Sequence, residues 1–376
     1  MPIFQDWAEL GRTTIRSLKR EDVQGLSREW REAKKRLVSE HSEQIEGERR
    51  RWKRFLRTTN AVIFGLAQRL APARRVVFAV ALVIAFFGFL KLLPSNDSWR
   101  MRGPDAIAEF SAAFLLILFL LGLELVDKIQ FRDELVLARE LQAELIPKNL
   151  PSSGVFELGA YNRIANMVGG DVYDFVPLAD GRLAVLFGDA SGHGMAAGLV
   201  MAVAHAGFYT QVETDPSAAT VIPTLNRLLC RAGARRSFFS CVYLLLSADG
   251  SFSITVAGHP QVLRFDTRGA IRERYGKGSY PLGIKPTLSW QTETGTLAPG
   301  ETLLLHSDGL IEARNEQDLE FGDERLEGII RLHAADSAPS LTAAVAAELS
   351  RFCGRVAPED DVSITVIKRR ATAPTL

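Results

Sequence analysis

Two kinds of hydrophobic patterning divide the chain. Near the front lie two apolar runs: residues 76–90 hold 15 uncharged positions and residues 110–123 hold 14. Each core falls short of the roughly 20 residues that cross a bilayer. Leu92 and Leu93 extend the first run past Lys91, however, and Leu125 and Val126 extend the second past Glu124. A long lysine stem can snorkel to the interface, so both runs reach spanning length when counted through these charges. Neither run shows the polar face of a helix packed on a soluble core. The pattern predicts a membrane hairpin, with a buried or interfacial helical hairpin as the alternative. Residues Pro94, Ser95, Asn96, Asp97 and Ser98 supply a turn-rich link that ends at Pro104 and Asp105.

Residues 127–146 then read as a helix stopped by Pro147, with Phe131, Leu135, Ala138 and Leu145 at 3–4 spacing. This pattern suits either a short coiled coil pairing two chains or a helix packed on its own domain. PKNLPSSG (147–154) marks a boundary. From Val155 onward short apolar runs alternate with Gly, Asp and Pro. Strands are expected at 182–187, 240–246, 251–256, 302–305 and 362–368, and helices at 195–210, 218–232, 323–332 and 341–352. Strands in hairpin-like succession, interrupted by helix pairs, indicate an α+β fold with sheets covered by helices.

Composition sharpens this picture in two places. The 376 residues carry a formal net charge of only +1, yet residues 1–75 hold 18 Lys/Arg against 10 Asp/Glu, which leaves an acidic body. Residues 49–75 hold nine Lys/Arg and the loop 91–105 three, so the positive-inside rule puts both termini in the cytoplasm. The first run lies too far into the chain for a cleaved signal peptide. Residues 1–60, with Trp7, Leu10, Ile15 and Leu18 at roughly helical spacing, read as a basic helical segment. Its Arg49, Arg50, Arg51, Lys53, Arg54 and Arg57 either meet anionic head groups or form a solvated face. Cys230, Cys241 and Cys353 are an odd number without a CxxC pair, which fits a reducing compartment and opposes a zinc knuckle. Collagen-like, disulfide-scaffold and wholly disordered classes are excluded.

The chemistry gathers at strand ends. Asp171 follows Gly169 and Gly170, and Asp189 closes LFGD before Ala190, Ser191, Gly192, His193 and Gly194. Asp308 follows LLLHS and precedes Gly309, and Asp360 and Asp361 open the last apolar strand. A carboxylate at a strand end is exposed yet held by rigid backbone, and neighbouring glycines let backbone and water approach. If the strands are neighbours, the carboxylates converge and their repulsion demands a cation. All-oxygen donors without a His/Cys cluster point to Mg²⁺ or Mn²⁺ rather than zinc.

These motifs, in this order, resemble the metal-dependent serine/threonine protein phosphatases (PPM), in their bacterial SpoIIE-like branch, whose members include sigma-factor regulators. The resemblance rests on GGDVYDF (169–175), GDASGHGMAAGLVMA (188–202), AGHP (257–260), PLGI (281–284), LLLHSDGLIEARN (303–315), FGDERL (321–326) and EDDVSITVI (359–367), after a LIPKNLP lead-in (145–151). It implies a sandwich of two antiparallel β-sheets flanked by helices, with two Mn²⁺ or Mg²⁺ ions at one end. By motif position Asp171 and Asp189 would be ligands, Asp189 bridging both ions and the carbonyl of Ala190 adding a backbone ligand. Asp308 and Asp360 would complete the second metal, with Asp361 as the alternative to Asp360. A metal-bridging water would be the nucleophile. Gly170, Ser191, Gly192, His193 and Gly309 would surround the ligands, His259 and His306 would be structural, and GDASG is not the G-x-S-x-G elbow of serine hydrolases. Gln261 stands where the family often has a second proline and Ala190 where it often has valine, and neither change removes a ligand.

The expected organisation is a basic cytoplasmic segment (1–75), a transmembrane hairpin (76–126), a linker helix (127–151) and the phosphatase domain (152–370). That makes an inner-membrane, multi-pass protein with a cytoplasmic phosphatase. Its expected partners are a phosphorylated protein substrate of the anti-sigma-factor-antagonist type, the lipid bilayer and a second copy through the linker helix or the phosphatase domain, with no nucleic acid. Two other readings compete: a catalytically silent membrane scaffold, and nucleotide binding at Gly192–Gly198. The latter is GxGxxxG, one residue longer than the dinucleotide fingerprint, and no βαβ unit accompanies it.

Overall fold

The computed structural model describes residues 51–92, 99–165, 168–192, 194–232 and 237–371. The expected helix around Trp7 to Leu18, the side chains of the 49–57 basic cluster, the 94–98 turn and His193 lie outside them. Contacts divide the chain into two units, Met1–Ile129 and Gln130–Leu376.

The first unit is helical: α1 (Arg51–Arg69), α2 (Pro72–Leu92) and the beginning of α3 (Trp99–Leu145). Pro72–Leu92 and Pro104–Leu145 are long and apolar enough to cross a membrane. Val76, Val83, Phe86, Phe114, Leu115 and Phe119 all stand exposed along them. The pair is pinned near both ends: Arg74 lies 2.8 Å from Glu124 and 2.7 Å from Asp127, and Lys91 lies 2.6 Å from Glu109. The second apolar run and the expected linker helix prove to be one continuous helix. Between Glu124 and Leu145 nothing interrupts it; Pro147, which disfavours helix in the residue before it, coincides with its end.

The second unit holds two five-stranded antiparallel sheets. One has the order β1 (Phe156–Arg163), β10 (Val362–Arg369), β9 (Thr302–His306), β6 (Val262–Phe265), β7 (Ile271–Tyr275). The other has the order β2 (Asp171–Pro177), β3 (Leu183–Ala190), β4 (Phe239–Leu246), β5 (Ser251–Ala257), β8 (Thr292–Thr296). The period-two alternation sorts each strand between two cores. Along β3, Leu183, Val185 and Phe187 fill the space between the sheets with Leu303, Leu305 and Ile367. Ala184 and Leu186 instead face α4 (Met195–Thr214) and α5 (Ala218–Ala232), against Met201, Phe208 and Leu225. Leu304, Ile364 and Val366 face outward onto α7 (Gly322–His333) and α8 (Ala338–Cys353). A single turn, α6 (Asp308–Ile311), follows β9. The architecture is therefore helices–sheet–sheet–helices, as the family resemblance implies. Met195–Thr214 also meets the length and apolarity of a membrane span, but its Ala197, Met201, Ala204 and Phe208 are fully buried on the sheet.

The second half of α3 belongs to this unit. Leu135, Ala138, Gln142 and Leu145 form its sheltered face, while Leu137 and Leu141 are exposed. Gln142 and Leu145 of this stripe pack on the domain, whereas Phe131, which starts it, is exposed.

Candidate metal centre

Antiparallel pairing brings the start of β2 and the finish of β3 to one end of their sheet. Asp171 and Asp189 are directly paired in that ladder, and Asp189 is paired in turn with Ser240. Tyr173, Phe175 and Phe187 share the parity of these aspartates and lie in the core between the sheets, so both carboxylates belong to the inter-sheet face. In the other sheet β9 ends and β10 begins at the same end, where Ser307 N–H donates to the carbonyl of Ser363 at 3.0 Å and Ser363 N–H to Ser307 Oγ at 2.9 Å. Asp308 and Asp360 lie beside this junction and are exposed; Asp361 is buried.

Asp361 joins the two sheets. Its Oδ1 accepts the Ala165 N–H at 2.7 Å and its Oδ2 the Gly170 N–H at 2.6 Å. Its two oxygens are therefore engaged with backbone, while the neighbouring Asp360 lines a cavity of about 310 Å³ with Gly309, Glu312, Arg314 and Asp318. Gly170 forms a cradle: a Cβ there would overlap Asp189 Oδ1 and stand 2.6 Å from the Ala190 carbonyl oxygen. That cradle sets the Asp189 carboxylate and the Ala190 carbonyl side by side. Gly309 is needed for close approach as well, since a Cβ would overlap the Asp361 carbonyl.

The electrostatics of this end are dominated by like charges. Asp171 is 3% exposed and its Oδ2 has no hydrogen-bond partner. Burial, then the charges of Asp189 and Asp361, hold its carboxyl well above the ordinary carboxylate range, against the lowering effect of the Ser363 and Ser307 hydroxyls. Asp189 is pushed up to about 7, first by burial and then by Asp308, Asp360 and Asp361. Five carboxylates thus sense one another at one end of the sandwich. They stand at electrostatic rather than ligating range, for among the described residues no three His, Cys, Asp or Glu side chains form a group with metal-ligand spacing. An orphaned buried carboxylate oxygen, a glycine cradle that leaves space beside a carbonyl and an all-oxygen donor set nevertheless fit a hard divalent cation.

The remaining expected residues serve the frame. Ser191 Oγ accepts the Phe238 N–H at 2.8 Å, and Ser191 N–H donates to the Phe238 carbonyl at 2.9 Å, tying the turn before α4 to β4. Gly192 takes φ 90°, a left-handed conformation that favours glycine. His259 is buried edge-to-face on Phe187 at 5.2 Å and burial lowers its pKa to about 3; burial lowers that of His306 too. Both are neutral core residues.

Sequence reasoning missed Gln142, whose buried amide holds Gly169 at 2.8 and 2.9 Å. The available signal was a polar residue on the otherwise apolar stripe of α3. It also missed the anchoring work of Asp361, which depends on contacts with residues almost two hundred positions away.

Comparisons with known proteins agree with this fold. Residues 179–370 match the family model "Stage II sporulation protein E (SpoIIE)". The phosphoserine phosphatase RsbP of Bacillus subtilis (strain 168) is 25% identical over 190 residues, 49% of this chain and 47% of RsbP. The phosphoserine phosphatase RsbU of the same strain is 24% identical over 244 residues, 64% of this chain and 71% of RsbU. The chain thus spans about half the length of the first of these relatives. Among solved structures, the SiaA-PP2C domain of Pseudomonas aeruginosa superposes with a TM-score of 0.57 at 20% identity, covering 64% of this chain and 98% of that domain. The RsbU and RsbW domains of a Mycobacterium tuberculosis protein give a TM-score of 0.50 at 23% identity, with 60% and 66% covered. The family match takes in more than half of the 376 residues, and the chain belongs to the SpoIIE family of PPM-type phosphatases.

Proposed function

We propose that this chain is a membrane-anchored, metal-dependent protein phosphatase that removes phosphate from serine or threonine of a partner protein. The observation that carries the reading is the direct pairing of Asp171 and Asp189 at the sandwich end where Asp308 and Asp360 also act on Asp189. Asp171, Asp189 with the Ala190 carbonyl, Asp308 and Asp360 are the groups fitted to hold two Mn²⁺ or Mg²⁺ ions. Bound there, such ions would supply a Lewis acid for the phosphoryl oxygens and lower the pKa of water. Asp360 is the better donor than Asp361 because both Asp361 oxygens already accept backbone N–H groups. The paired strands set Asp171 and Asp189 in fixed register, Gly170 opens the approach to the Ala190 carbonyl, and Asp361 holds the loop ahead of β2. Ser191 accepts the Phe238 N–H through its hydroxyl and so serves the turn.

The N-terminal apolar helices support an inner-membrane anchor, and the positive-inside rule supports a cytoplasmic catalytic domain. We assign 1–75 to a basic cytoplasmic segment, 76–126 to the hairpin, 127–151 to the linker and 152–370 to the phosphatase. RsbP and RsbU bear the name phosphoserine phosphatase, and a solved relative combines RsbU and RsbW domains; both support a phosphoprotein of the sigma-factor pathway, an anti-sigma-factor antagonist, as the substrate. The exposed Leu137 and Leu141 on α3 leave room for a second copy. A catalytically silent scaffold is the less favoured reading, because the carboxylates of all four motifs are intact.

The test is Mn²⁺-dependent phosphate release from a phosphoserine protein by the full chain in detergent, with Asp189→Asn alongside. Activity that requires metal and vanishes in the variant is expected. A folded, Mn²⁺-bound chain that releases no phosphate would overturn the enzyme in favour of the scaffold.

A further inference from the structure

Helix α1 carries five Lys/Arg and no Asp or Glu. A helix turns about 100° per residue, which sorts its positions into two arcs. Trp52, Phe55, Leu56, Val62, Ile63 and Leu66 fall on one. Arg51, Lys53, Arg54, Arg57 and Arg69 fall on the other, with Ala61, Phe64 and Gln68 among them. On the apolar arc Val62 and Ile63 are half-buried and Leu66 stands 45% exposed. Lys53 and Arg57 are four residues apart, and Arg51 and Arg54 three, spacings at which like charges weaken a helix in water. An anionic surface removes that penalty, and an apolar medium beneath it takes the other arc.

The corner after α1 is fixed. Pro72 opens α2, and the residue before a proline avoids the helical region, so the helix breaks at Leu70 and Ala71. A helix end leaves carbonyls without partners. Here Arg75 of α2 reaches back to them: Nε donates to the Leu70 carbonyl at 2.8 Å and Nη2 to the Gln68 carbonyl at 2.7 Å. Its neighbour Arg74 grips Glu124 and Asp127 of α3. Two consecutive arginines thus tie the end of α1 and the returning helix to one level of α2, just before the apolar run that begins at Val76. That level is the end of a helix long and apolar enough to cross a membrane, which is where head groups lie.

Resting on the membrane-anchor reading above, we propose that α1 is an interfacial helix lying along the cytoplasmic bilayer surface, its apolar arc toward the acyl chains and its basic arc on anionic lipid head groups. Charge complementarity and continuity with α2 select this occupant. The hairpin holds the chain in any bilayer, whereas α1 makes the attachment sensitive to the anionic lipid content of the leaflet.

The test uses the full chain in nanodiscs of phosphatidylcholine, alone or mixed equally with phosphatidylglycerol. Amide hydrogen exchange at residues 58–68 should be about 10–100-fold slower in the anionic discs, as expected when several basic side chains each favour an anionic surface about fivefold. High salt should remove the slowing, and so should the triple variant Lys53→Gln, Arg54→Gln, Arg57→Gln. Nitroxides at Leu66→Cys and Gln68→Cys, with the native cysteines changed to alanine, probe the two arcs. In anionic discs the label at position 66 should be relaxed by dissolved oxygen and that at position 68 by a water-soluble nickel complex. Equal exchange in the two membranes would overturn the inference and leave α1 a solvated helix or one packed on its own chain. Two labels reporting the same surroundings would overturn it as well. If the substituted chains do not fold, exchange in the unaltered chain decides. A further nitroxide at Val83→Cys, an exposed position of α2, separates the two readings: access of the nickel complex there would sink the membrane anchor, and the inference with it.

Discussion

Asp171 and Asp189 stand opposite each other as a directly paired couple in the β2–β3 ladder. Two carboxylates fixed by backbone register cannot drift apart to relieve their repulsion, so a cation must compensate them or a proton must bind. Replacing Asp189 separates these two consequences. Asp189→Asn should lower metal-dependent phosphate release by more than about 100-fold, beyond the range for groups that only support a ligand. The same change should raise the melting temperature of the metal-free chain at pH 8, because it removes one of the repelling charges. Loss of activity together with loss of stability would instead mark Asp189 as a purely structural residue.

The raised pKa values fix the sign of the pH dependence. In an unfolded chain an aspartate titrates near ~3.9, whereas folding pushes Asp189 up to about 7 and moves Asp171 in the same direction. Between those limits the folded chain holds protons that the unfolded chain has released. The contribution to stability is therefore complete below about pH 4 and is lost as pH rises through about 7. Without metal, the chain should melt at a lower temperature at pH 8 than at pH 5.5. Mn²⁺ at pH 8 should reverse the loss, and its binding at pH 6 should release protons. Calorimetry in two buffers of different ionisation enthalpy checks the proton release, and a flat melting profile between pH 5.5 and 8 would refute the assignment.

How much of this was visible in the sequence differs from element to element. The central strands β3, β4 and β10 and helices α4, α5 and α8 announce themselves, because burial on one or both faces forces long apolar runs. Strand β8 (TETGT) does not: it lies at a sheet edge with alternate residues exposed, so nothing in its composition is hydrophobic. The single turn α6 and the four-residue strand β6 are too short to show a period. Helix α8 begins three residues earlier than its apolar run suggests, where Ser337 Oγ accepts the Ser340 N–H at 3.2 Å. The acidic motifs were legible because each aspartate sits among small residues at the end of an apolar strand. The Gly170–Asp361 hydrogen bond was not, since its partners are 191 positions apart.

That long-range bond gives Asp360 and Asp361 different roles, and substitution should separate them. Asp361→Asn exchanges one backbone acceptor for an NH₂ group facing an N–H, and should cost about 1–3 kcal/mol of stability for the unsatisfied donor. Mn²⁺ should still bind once the chain is folded. Asp360→Asn, at an exposed position, should leave stability within about 0.5 kcal/mol and abolish Mn²⁺-dependent turnover. Chemical denaturation and Mn²⁺ titration on both variants check this, and the reverse pattern would make Asp361 the ligand.

Gly170 is a sharper probe of the cradle, because its replacement adds one carbon and no charge. In Gly170→Ala the new Cβ overlaps Asp189 Oδ1 and lies 2.6 Å from the Ala190 carbonyl oxygen, so the carboxylate and carbonyl must be displaced. Overpacking at a buried site costs roughly 1–3 kcal/mol. Mn²⁺ affinity should fall together with activity, and calorimetric titration at saturating Mn²⁺ should recover part of the turnover. A variant with unchanged Mn²⁺ affinity would show that the cradle plays no part in cation binding.

In the helical hairpin, Lys91 and Glu109 form an ion pair at 2.6 Å, and Glu109 Oε2 is buried without a partner. In an apolar medium a charge left without its counter-ion is costly, and breaking a fully buried pair costs about 3–5 kcal/mol. Lys91 is 38% exposed, so Lys91→Met should destabilise the hairpin by less than that. The double exchange Lys91→Glu with Glu109→Lys restores opposite charges at the same two positions and should recover most of the loss. Unfolding of the full chain by SDS titration in mild micelles measures all three proteins. Equal destabilisation of the single variant and the exchange would mean that the two helices are held by apolar packing and not by this pair.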